Sequence, residues 1–226
     1  MGTAKFILNS TIHTLPTQNN LKLWNKSVSD KCHLCKNRDS TLHTLSGCKV
    51  SLEQKRYTWR HDNIINYIVQ CLDSTKVTVY SDIEGHQASN GGSMPPEVLV
   101  TEQKPDIVVI NAEKGTVKLL ELTVPFEGNI KERNKDKTDK YAHFLTDIKT
   151  YAPSLTCFEV GVRGYLTKDN MDKLKDIHSL CKKNIKYKTF LKNISAISII
   201  SSYYIFTARK NPTWGITSCL NAPFQH

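Results

Sequence analysis

The chain has 226 residues, a formal net charge of +10 and a sequence pI near 9.2. This length is sufficient for one sizeable core with a small additional module, and the positive charge predicts a polyanionic partner, nucleic acid in preference to an anionic membrane. Seven cysteines, three of them between residues 32 and 48, do not form the pattern of a disulfide framework and indicate a reducing compartment.

Neither the first residues nor the longest apolar stretch predicts a membrane segment. The first residues lack a charged leader followed by an apolar stretch, and the longest apolar stretch, residues 194–206, is interrupted by serines and is too short to span a bilayer. We therefore expect no membrane anchor or export signal, and we predict that residues 194–206 form part of a helix in the core. Residues 1–30 contain too few apolar side chains to fold alone.

Four metal-binding residue types follow one another as Cys32-x2-Cys35-x7-His43-x4-Cys48. Two cysteines separated by two residues can hold one metal ion through both thiolates, and His43 and Cys48 complete a tetrahedral set. Four protein ligands leave no open position, so the pattern predicts a structural Zn²⁺ site. His33 is the alternative imidazole, but it lies inside the first Cys-x2-Cys turn, where ligation would strain the chain.

The next segments predict a helix, a strand and a loop. Asp62 can cap a helix whose apolar stripe ends at Leu72, residues 76–80 have strand character, and residues 84–96, rich in Gly, Ser and Asn, are expected to be a disordered loop.

Two strands joined by a short loop carry the most informative acids. Residues 107–110 are continuously β-branched, and residues 117–124 are rich in apolar side chains. Residues 112–115 between them predict a hairpin. If Asn111 faces Thr116, then Asp106 lies opposite Glu121 on the same face. Two adjacent carboxylates favour a hard divalent cation, Mg²⁺ or Mn²⁺. The alternative is a surface hairpin whose acids are only solvated.

The rest of the chain alternates between helix and strand. Residues 131–140 are a run of mixed charge, and the spacing of the apolar residues that follow continues a helix to residue 148. Residues 156–162 predict a strand. Residues 169–181 predict an amphipathic helix, and the segment after them predicts a long helix to residue 206.

Pro105-Asp106, followed by fourteen residues and Glu121, resembles the metal-binding signature of the PD-(D/E)-x-K nucleases. More narrowly, the KPD and ELTVPFE segments and the upstream CCHC pattern resemble the C-terminal zinc knuckle and restriction-like endonuclease of site-specific non-LTR retrotransposon proteins. The usual lysine position holds Thr123. In the retrotransposon enzymes a later helix supplies the lysine before a tyrosine, so the resemblance favours Lys140, with Lys137 in reserve.

The resemblance implies an α/β fold, a restriction-endonuclease-like mixed sheet flanked by helices and preceded by a small CCHC zinc knuckle. It divides the chain into a helical connector (1–30) whose Leu21, Leu23 and Trp24 pack on a neighbouring domain, the knuckle (31–58) and the endonuclease (59–226). No polymerase active site is present in the sequence.

The implied function is nicking of target DNA to prime reverse transcription, in the nucleus. Mg²⁺ or Mn²⁺ would be held by Asp106 and Glu121, with Glu97 or Glu84 as a third acid, and a lysine would stabilise the attacking hydroxide. The partners would be DNA and the RNA of the element, with no membrane and no small-molecule substrate. The implied DNA contacts are Arg60, His61, Lys104 and Arg163.

Three of these assignments have alternatives. Arg60 and His61 could lie at a helix N-terminus without touching DNA, and Arg163 could form a structural salt bridge. The whole chain could be a catalytically inactive nucleic-acid-binding module, or an interaction scaffold derived from a domesticated retrotransposon.

Overall fold

The computed structural model describes residues 1–215, which contain four strands with helices between and around them. The strands are β1 (Thr78–Ser81), β2 (Ile107–Asn111), β3 (Thr116–Thr123) and β4 (Ala152–Glu159). The helices are α1 (Thr3–Thr11), α2 (Gln18–Leu23), α3 (Lys49–Glu53), α4 (Arg56–Cys71), α5 (Ile130–Tyr141), α6 (Phe144–Asp147), α7 (Lys168–His178) and α8 (Tyr187–Thr207). A π-helical turn spans His43–Gly47 and a 3-10 turn spans Glu127–Asn129.

The four strands form one mixed sheet in the order β1-β2-β3-β4. β2 pairs antiparallel with β1 and β3, while β3 and β4 run parallel because α5 and α6 make the crossover between them. The predicted α/β class, a mixed sheet flanked by helices, is confirmed.

The hairpin between β2 and β3 has the predicted register. Asn111 pairs with Thr116, and Ile107 pairs with Leu120. Gly115 adopts φ +61° in the connecting loop, a conformation in which a side chain would be strained. Continuing the register by one residue brings Asp106 to the level of Glu121, and Asp106 accepts a hydrogen bond from the backbone N–H of Leu122 at 2.7 Å.

Alternate residues of the strands enter two separate cores. Ile107, Val109, Leu120 and Leu122 pack with side chains of α4, α7 and α8 on one face of the sheet. The opposite face, which carries the residues between them, packs against Tyr141 of α5, against α6 and against Met94. Both faces are therefore covered, which explains why β2 is continuously apolar.

Helix α4 begins at Arg56, not at Asp62 as predicted. The residue before it, Lys55, adopts a left-handed conformation with φ 58°, and Asp62 lies inside the helix. The apolar stripe did not predict this first turn because its buried side chains are Arg56, Trp59 and Arg60. The predicted domain boundary at residue 58 consequently falls inside a continuous helix.

Three further predictions differ from the structure. β4 starts four residues earlier than predicted and ends at Glu159, although Val160 still donates a backbone hydrogen bond to Thr123. The predicted helix across residues 131–148 is interrupted between Tyr141 and Phe144. Residues 84–96 form no helix or strand, but Met94 is 1% exposed and packs against the sheet, so this segment is not the loose loop that its composition predicted.

The N-terminal segment packs on the rest of the chain. Phe6, Leu15 and Leu45 share a buried cluster with Val162 and Phe206, which lies near the end of α8. Leu23 and Trp24 are exposed, whereas Leu21 is half-buried. No helix in the described part of the chain combines the length and the apolar character needed to cross a membrane.

Candidate functional site

Glu121 and Lys137 form an ion pair under α5. Lys137 Nζ lies 2.8 Å from Glu121 Oε2, and the Glu121 side chain has no solvent exposure. Helix α5 packs on β3 and β4 and so places Lys137 above this carboxylate. The second oxygen, Glu121 Oε1, is buried and accepts no hydrogen bond of ordinary length among residues 1–215, although the Tyr141 hydroxyl is close enough to lower the pKa of Glu121. A buried carboxylate oxygen without a donor is costly unless a cation or water binds it.

Asp106 lies beside Glu121 and is held by two donors on one of its oxygens. Asp106 Oδ2 accepts from the Leu122 backbone and lies 3.1 Å from Nε2 of His61, which projects from α4. The other imidazole nitrogen lies 3.0 Å from Oδ1 of Asp62. A chain of contacts from Asp62 through His61 to Asp106 therefore connects the surface of α4 to the hairpin. It uses Asp106 Oδ2 and leaves Asp106 Oδ1 available to another partner.

The two carboxyl groups differ in their affinity for protons. Burial, together with the charge of Asp106, raises the pKa of Glu121 to about 7 although Lys137 opposes this shift. Burial acts to raise the pKa of Asp106 as well, but the charge and hydrogen bond of His61 lower it overall. Burial acts to lower the pKa of His61, and the contacts with Asp106 and Asp62 raise it to about 10. At neutral pH Asp106 and His61 are therefore both charged.

Lys140, which the resemblance favoured, does not contact Glu121 directly but lies on the Tyr141 hydroxyl. Its ammonium donates to the Tyr141 hydroxyl at 2.9 Å and lies over the Tyr141 ring, 4.5 Å from the centroid. Lys137 is one helical turn earlier and is the lysine that contacts Glu121. The spacing Lys140-Tyr141 did not reveal this, because the two lysines lie on nearly the same face of α5 and only the packing on β3 distinguishes them.

Arg60 is 1% exposed and therefore does not present its guanidinium to DNA. It donates to the backbone oxygens of Leu45 at 3.0 Å and Val124 at 3.3 Å, and to the Ser202 hydroxyl at 3.0 Å. These partners belong to the Cys/His segment, to the chain after β3 and to α8. Arg60 thus joins three parts of the fold, and in this structure its guanidinium is not accessible to a phosphate.

Arg163 forms a structural salt bridge, which is the alternative that the sequence left open. Its guanidinium pairs with Glu127 at 2.7 Å and donates to the backbone oxygen of Ser10 at 2.9 Å. Lys104, by contrast, is exposed at the start of the KPD segment and lies 3.7 Å from Asp82. Of the implied DNA contacts, Lys104 is the side chain that faces solvent.

The described part of the chain adds no third acid to Asp106 and Glu121. Within residues 1–215, the group of three or more Cys, His, Asp or Glu side chains that could hold a metal ion is a different one, the Cys/His cluster. Glu97 is exposed in a turn, and its backbone oxygen accepts weakly from Thr150 at 3.5 Å. Glu84 likewise does not join the two acids in such a group.

Cys32, Cys35, His43 and Cys48 come together as the spacing predicted, with their ligand atoms all within 4.8 Å of one another. Cys35 Sγ lies 3.2 Å from His43 Nε2, and Cys32 Sγ lies 4.0 Å from Cys48 Sγ. A Zn²⁺ ion bonded at about 2.3 Å to sulfur and about 2.0 Å to nitrogen fits among donors at these separations. This cluster could hold a zinc ion. Four ligands would leave it no open coordination position.

The surroundings of the cluster influence its protonation in different ways. Burial raises the pKa of the Cys32 thiol to about 11 and lowers the pKa of His43. Burial also acts to raise the pKa of Cys48, but hydrogen bonds from Ser51 and the other cysteines lower it overall. A neutral His43 is the form that binds a metal, whereas Cys32 must lose its proton on binding.

His33 is not part of the cluster. Its Nε2 lies 2.8 Å from Nε2 of Gln18 at the start of α2. No sequence pattern indicated Tyr57, whose hydroxyl accepts from the Cys48 backbone at 3.1 Å and donates to the Thr44 backbone at 3.0 Å. Tyr57 thereby supports the loop that carries His43. Its partners are distant in sequence, so no local pattern could identify it.

The fold and these two sites define a mixed α/β protein with a Cys₃His cluster and a separate pair of neighbouring acids, the buried Glu121 and the half-buried Asp106. No protein-family model matches the chain, and no curated protein matches it either.

Proposed function

We propose that the chain is a metal-dependent DNA endonuclease in which Asp106 and Glu121 hold Mg²⁺ or Mn²⁺. One observation carries the proposal: the buried Glu121 has one oxygen on Lys137 and a second oxygen, near the Tyr141 hydroxyl and Asp106, that accepts no hydrogen bond of ordinary length in the described part of the chain. Two hard oxygen donors on neighbouring strands fit a divalent cation. The mixed sheet would then be of the restriction-endonuclease type, and the Cys₃His cluster would be a zinc knuckle.

The residues of the site would act in distinct ways. A bound divalent cation would neutralise charge on the scissile phosphate and lower the pKa of an attacking water. His61 fixes the orientation of Asp106 through Oδ2 and keeps Asp106 ionised, so that Oδ1 would be free to bind the cation. Lys137 is the cationic group closest to Glu121 and stabilises negative charge that develops on the phosphate. By the resemblance in sequence, the nick would supply a primer for reverse transcription of a non-LTR retrotransposon in the nucleus.

The proposal is tested by incubating the purified protein with supercoiled plasmid in the presence of Mg²⁺, Mn²⁺ or neither. We expect nicked circles only with a divalent cation. Asp106→Asn and Glu121→Gln should each abolish nicking while the circular dichroism spectrum stays unchanged. Lys118→Ala is the matched control, because Lys118 faces α7 and pairs with Asp176 on the opposite side of the sheet. Nicking that persists in Glu121→Gln would overturn the proposal.

One observation favours a second candidate, a nucleic-acid-binding protein without catalysis. Both carboxylates already have a cationic partner inside the protein, Lys137 for Glu121 and His61 for Asp106. Charge balance alone therefore does not require a metal ion. Binding of Mn²⁺ measured by electron paramagnetic resonance separates the candidates, since only the endonuclease should bind Mn²⁺ at the acids and lose that binding in Glu121→Gln.

A further inference from the structure

The positive charge of the chain is concentrated in its last part. Residues 177–226 contain seven lysines and arginines and no aspartate or glutamate, so this segment has a formal net charge of +7, compared with +10 for the whole chain. Five of the seven lie within eleven residues at the junction of α7 and α8. We call this set the junction lysines: Lys182, Lys183, Lys186, Lys188 and Lys192.

All five junction lysines are exposed, and none forms a salt bridge with another residue of the described chain. Three acids of α7 and of the segment after α4 pair with other lysines: Asp73 with Lys76, Asp169 with Lys173, and Asp176 with Lys118. Asp172 is close enough to Tyr187 for its charge to raise the pKa of that hydroxyl, and it forms no salt bridge in the described chain. One unpaired acid beside five lysines leaves the junction with a net positive charge.

The junction lies away from the proposed active site. The backbone N–H of Lys182 donates to the Cys71 oxygen and its ammonium donates to the Gln70 oxygen at 2.9 Å, so the lysines begin at the carboxyl end of α4. His61, which contacts Asp106, lies ten residues earlier on the same helix. At 1.5 Å per residue the separation along α4 is about 15 Å at Lys182, the length of roughly four to five base pairs of duplex DNA. At Lys192 it is about 9 Å, because the neighbouring Asn193 contacts Tyr67 of α4.

The chemistry of this surface matches a nucleic-acid backbone better than a membrane. Its apolar residues face inward: Phe190 is buried in the main core, and Ile185 and Leu191 pack against that core. No large hydrophobic side chain between residues 166 and 215 is exposed. Amphipathic membrane binding needs such side chains, whereas phosphate contacts need only flexible cationic ones. Lysines, which act as mobile point charges, suit contacts that do not depend on base sequence.

We propose that the junction lysines form a second nucleic-acid-binding surface, which holds the phosphate backbone at a distance from Asp106 and Glu121. The inference rests on the proposed function in taking nucleic acid as the partner, but it does not require catalysis. The shared ligand chemistry is a chain of phosphodiesters, which either the target duplex or an RNA could supply.

The test compares two charge-reversed variants of the full chain by fluorescence anisotropy, in buffer without Mg²⁺ or Mn²⁺. Lys186→Glu, Lys188→Glu and Lys192→Glu are combined in the first variant. The control combines Lys5→Glu, Lys114→Glu and Lys149→Glu, which are exposed, scattered over other surfaces and change the net charge equally. Glutamates near the amino end of α8 favour the helix dipole, so the first variant should fold, as its thermal unfolding would show.

With a labelled DNA duplex, the junction variant should lose about tenfold or more in affinity, and the slope of log K against log salt should become shallower by about 0.9 for each phosphate contact removed. With a labelled single-stranded RNA the slope change should be about 0.7 per contact. The RNA and duplex arms thereby show which phosphodiester chain the surface holds. The control variant should change both slopes by less.

Equal losses in the two variants would mean that only net charge matters and would overturn the inference. So would a junction variant that binds both nucleic acids like the wild type, or one that loses only its binding to anionic phospholipid vesicles. Binding through the junction lysines by a protein that nicks no plasmid would keep the inference and reject the proposed function. If the protein nicks plasmid normally but the lysine substitutions do not affect binding, the proposed function is kept and the inference about the junction lysines is rejected.

Discussion

Lys137 and Lys118 lie on opposite sides of the central sheet, although both approach β3 and both pair with an acid. Lys137 reaches Glu121 from α5, whereas Lys118, three residues before Glu121 on the strand, reaches Asp176 on α7. Alternation along β3 requires this arrangement, because positions of different parity face different layers. The pair of lysines therefore provides a functional group and a control within one strand and its neighbouring helices.

Lys137→Ala should reduce plasmid nicking by about 100-fold, a typical cost of removing one group that stabilises developing charge. Lys140→Ala should reduce it by less than threefold, a factor worth about 0.6 kcal/mol, because Lys140 contacts the Tyr141 hydroxyl and not Glu121. Rates measured at saturating Mg²⁺ would separate this effect from weaker metal binding. A larger loss in Lys140→Ala would restore the assignment that the sequence resemblance favours.

The Cys₃His cluster should bind about one Zn²⁺ per chain, measurable by elemental analysis after gel filtration. Cys32→Ser and His43→Ala should each lose the metal and lower the melting temperature, since binding free energy contributes directly to folding. His33→Ala is the control. His33 contacts Gln18 and not the cluster, so this variant should retain zinc. If His33→Ala loses zinc and His43→Ala keeps it, then His33 is the zinc ligand and His43 is not.

Arg60→Ala should lower the free energy of unfolding by about 3 kcal/mol or more, because it leaves buried acceptors at Leu45, Val124 and Ser202 without their donor. Urea denaturation followed by circular dichroism measures this change. Lys104→Ala, at an exposed position, should change stability by about 0.5 kcal/mol at most. If Arg60→Ala is as stable as the wild type but binds DNA weakly, Arg60 would be a phosphate contact after all.

His61 should make the protein less stable as the pH rises above neutrality. Its folded-state pKa of about 10 lies above the ordinary value of 6.5, so its contribution is fully present below pH 6.5 and is lost as the pH rises towards about 10. Melting temperatures measured across this range without divalent cations should therefore fall. His61→Gln should flatten the decline while Asp106 stays in place. A wild-type curve without slope in this window would contradict the ion pair between His61 and Asp106.

Nicking itself should depend on pH through Glu121. With a pKa raised to about 7, Glu121 is protonated in mildly acidic solution and then binds a divalent cation poorly. The rate at subsaturating Mg²⁺ should therefore rise through about pH 7, and raising the Mg²⁺ concentration should move the midpoint to lower pH. A midpoint that does not respond to Mg²⁺ would assign the titration to another group.

The sequence alone determined those features that depend on local pattern. The register of the β2–β3 hairpin followed from two apolar strands and a four-residue loop, since a period of two and a short turn leave few other pairings. The Cys₃His cluster followed from spacing in the same way, because a short segment must bring its ligands together if all of them bind one ion.

Tertiary structure decided which charged side chains are buried and which lysine meets the acid. The sequence predicts that Arg60 is a basic surface residue. Its hydrogen-bond partners lie up to 142 residues away in the chain, and the side chain is buried among them. Lys137 and Lys140 are equivalent in pattern, and the packing of α5 on β3 and β4 selects Lys137. Such choices depend on contacts between elements distant in sequence, where burial makes one hydrogen bond or ion pair decisive.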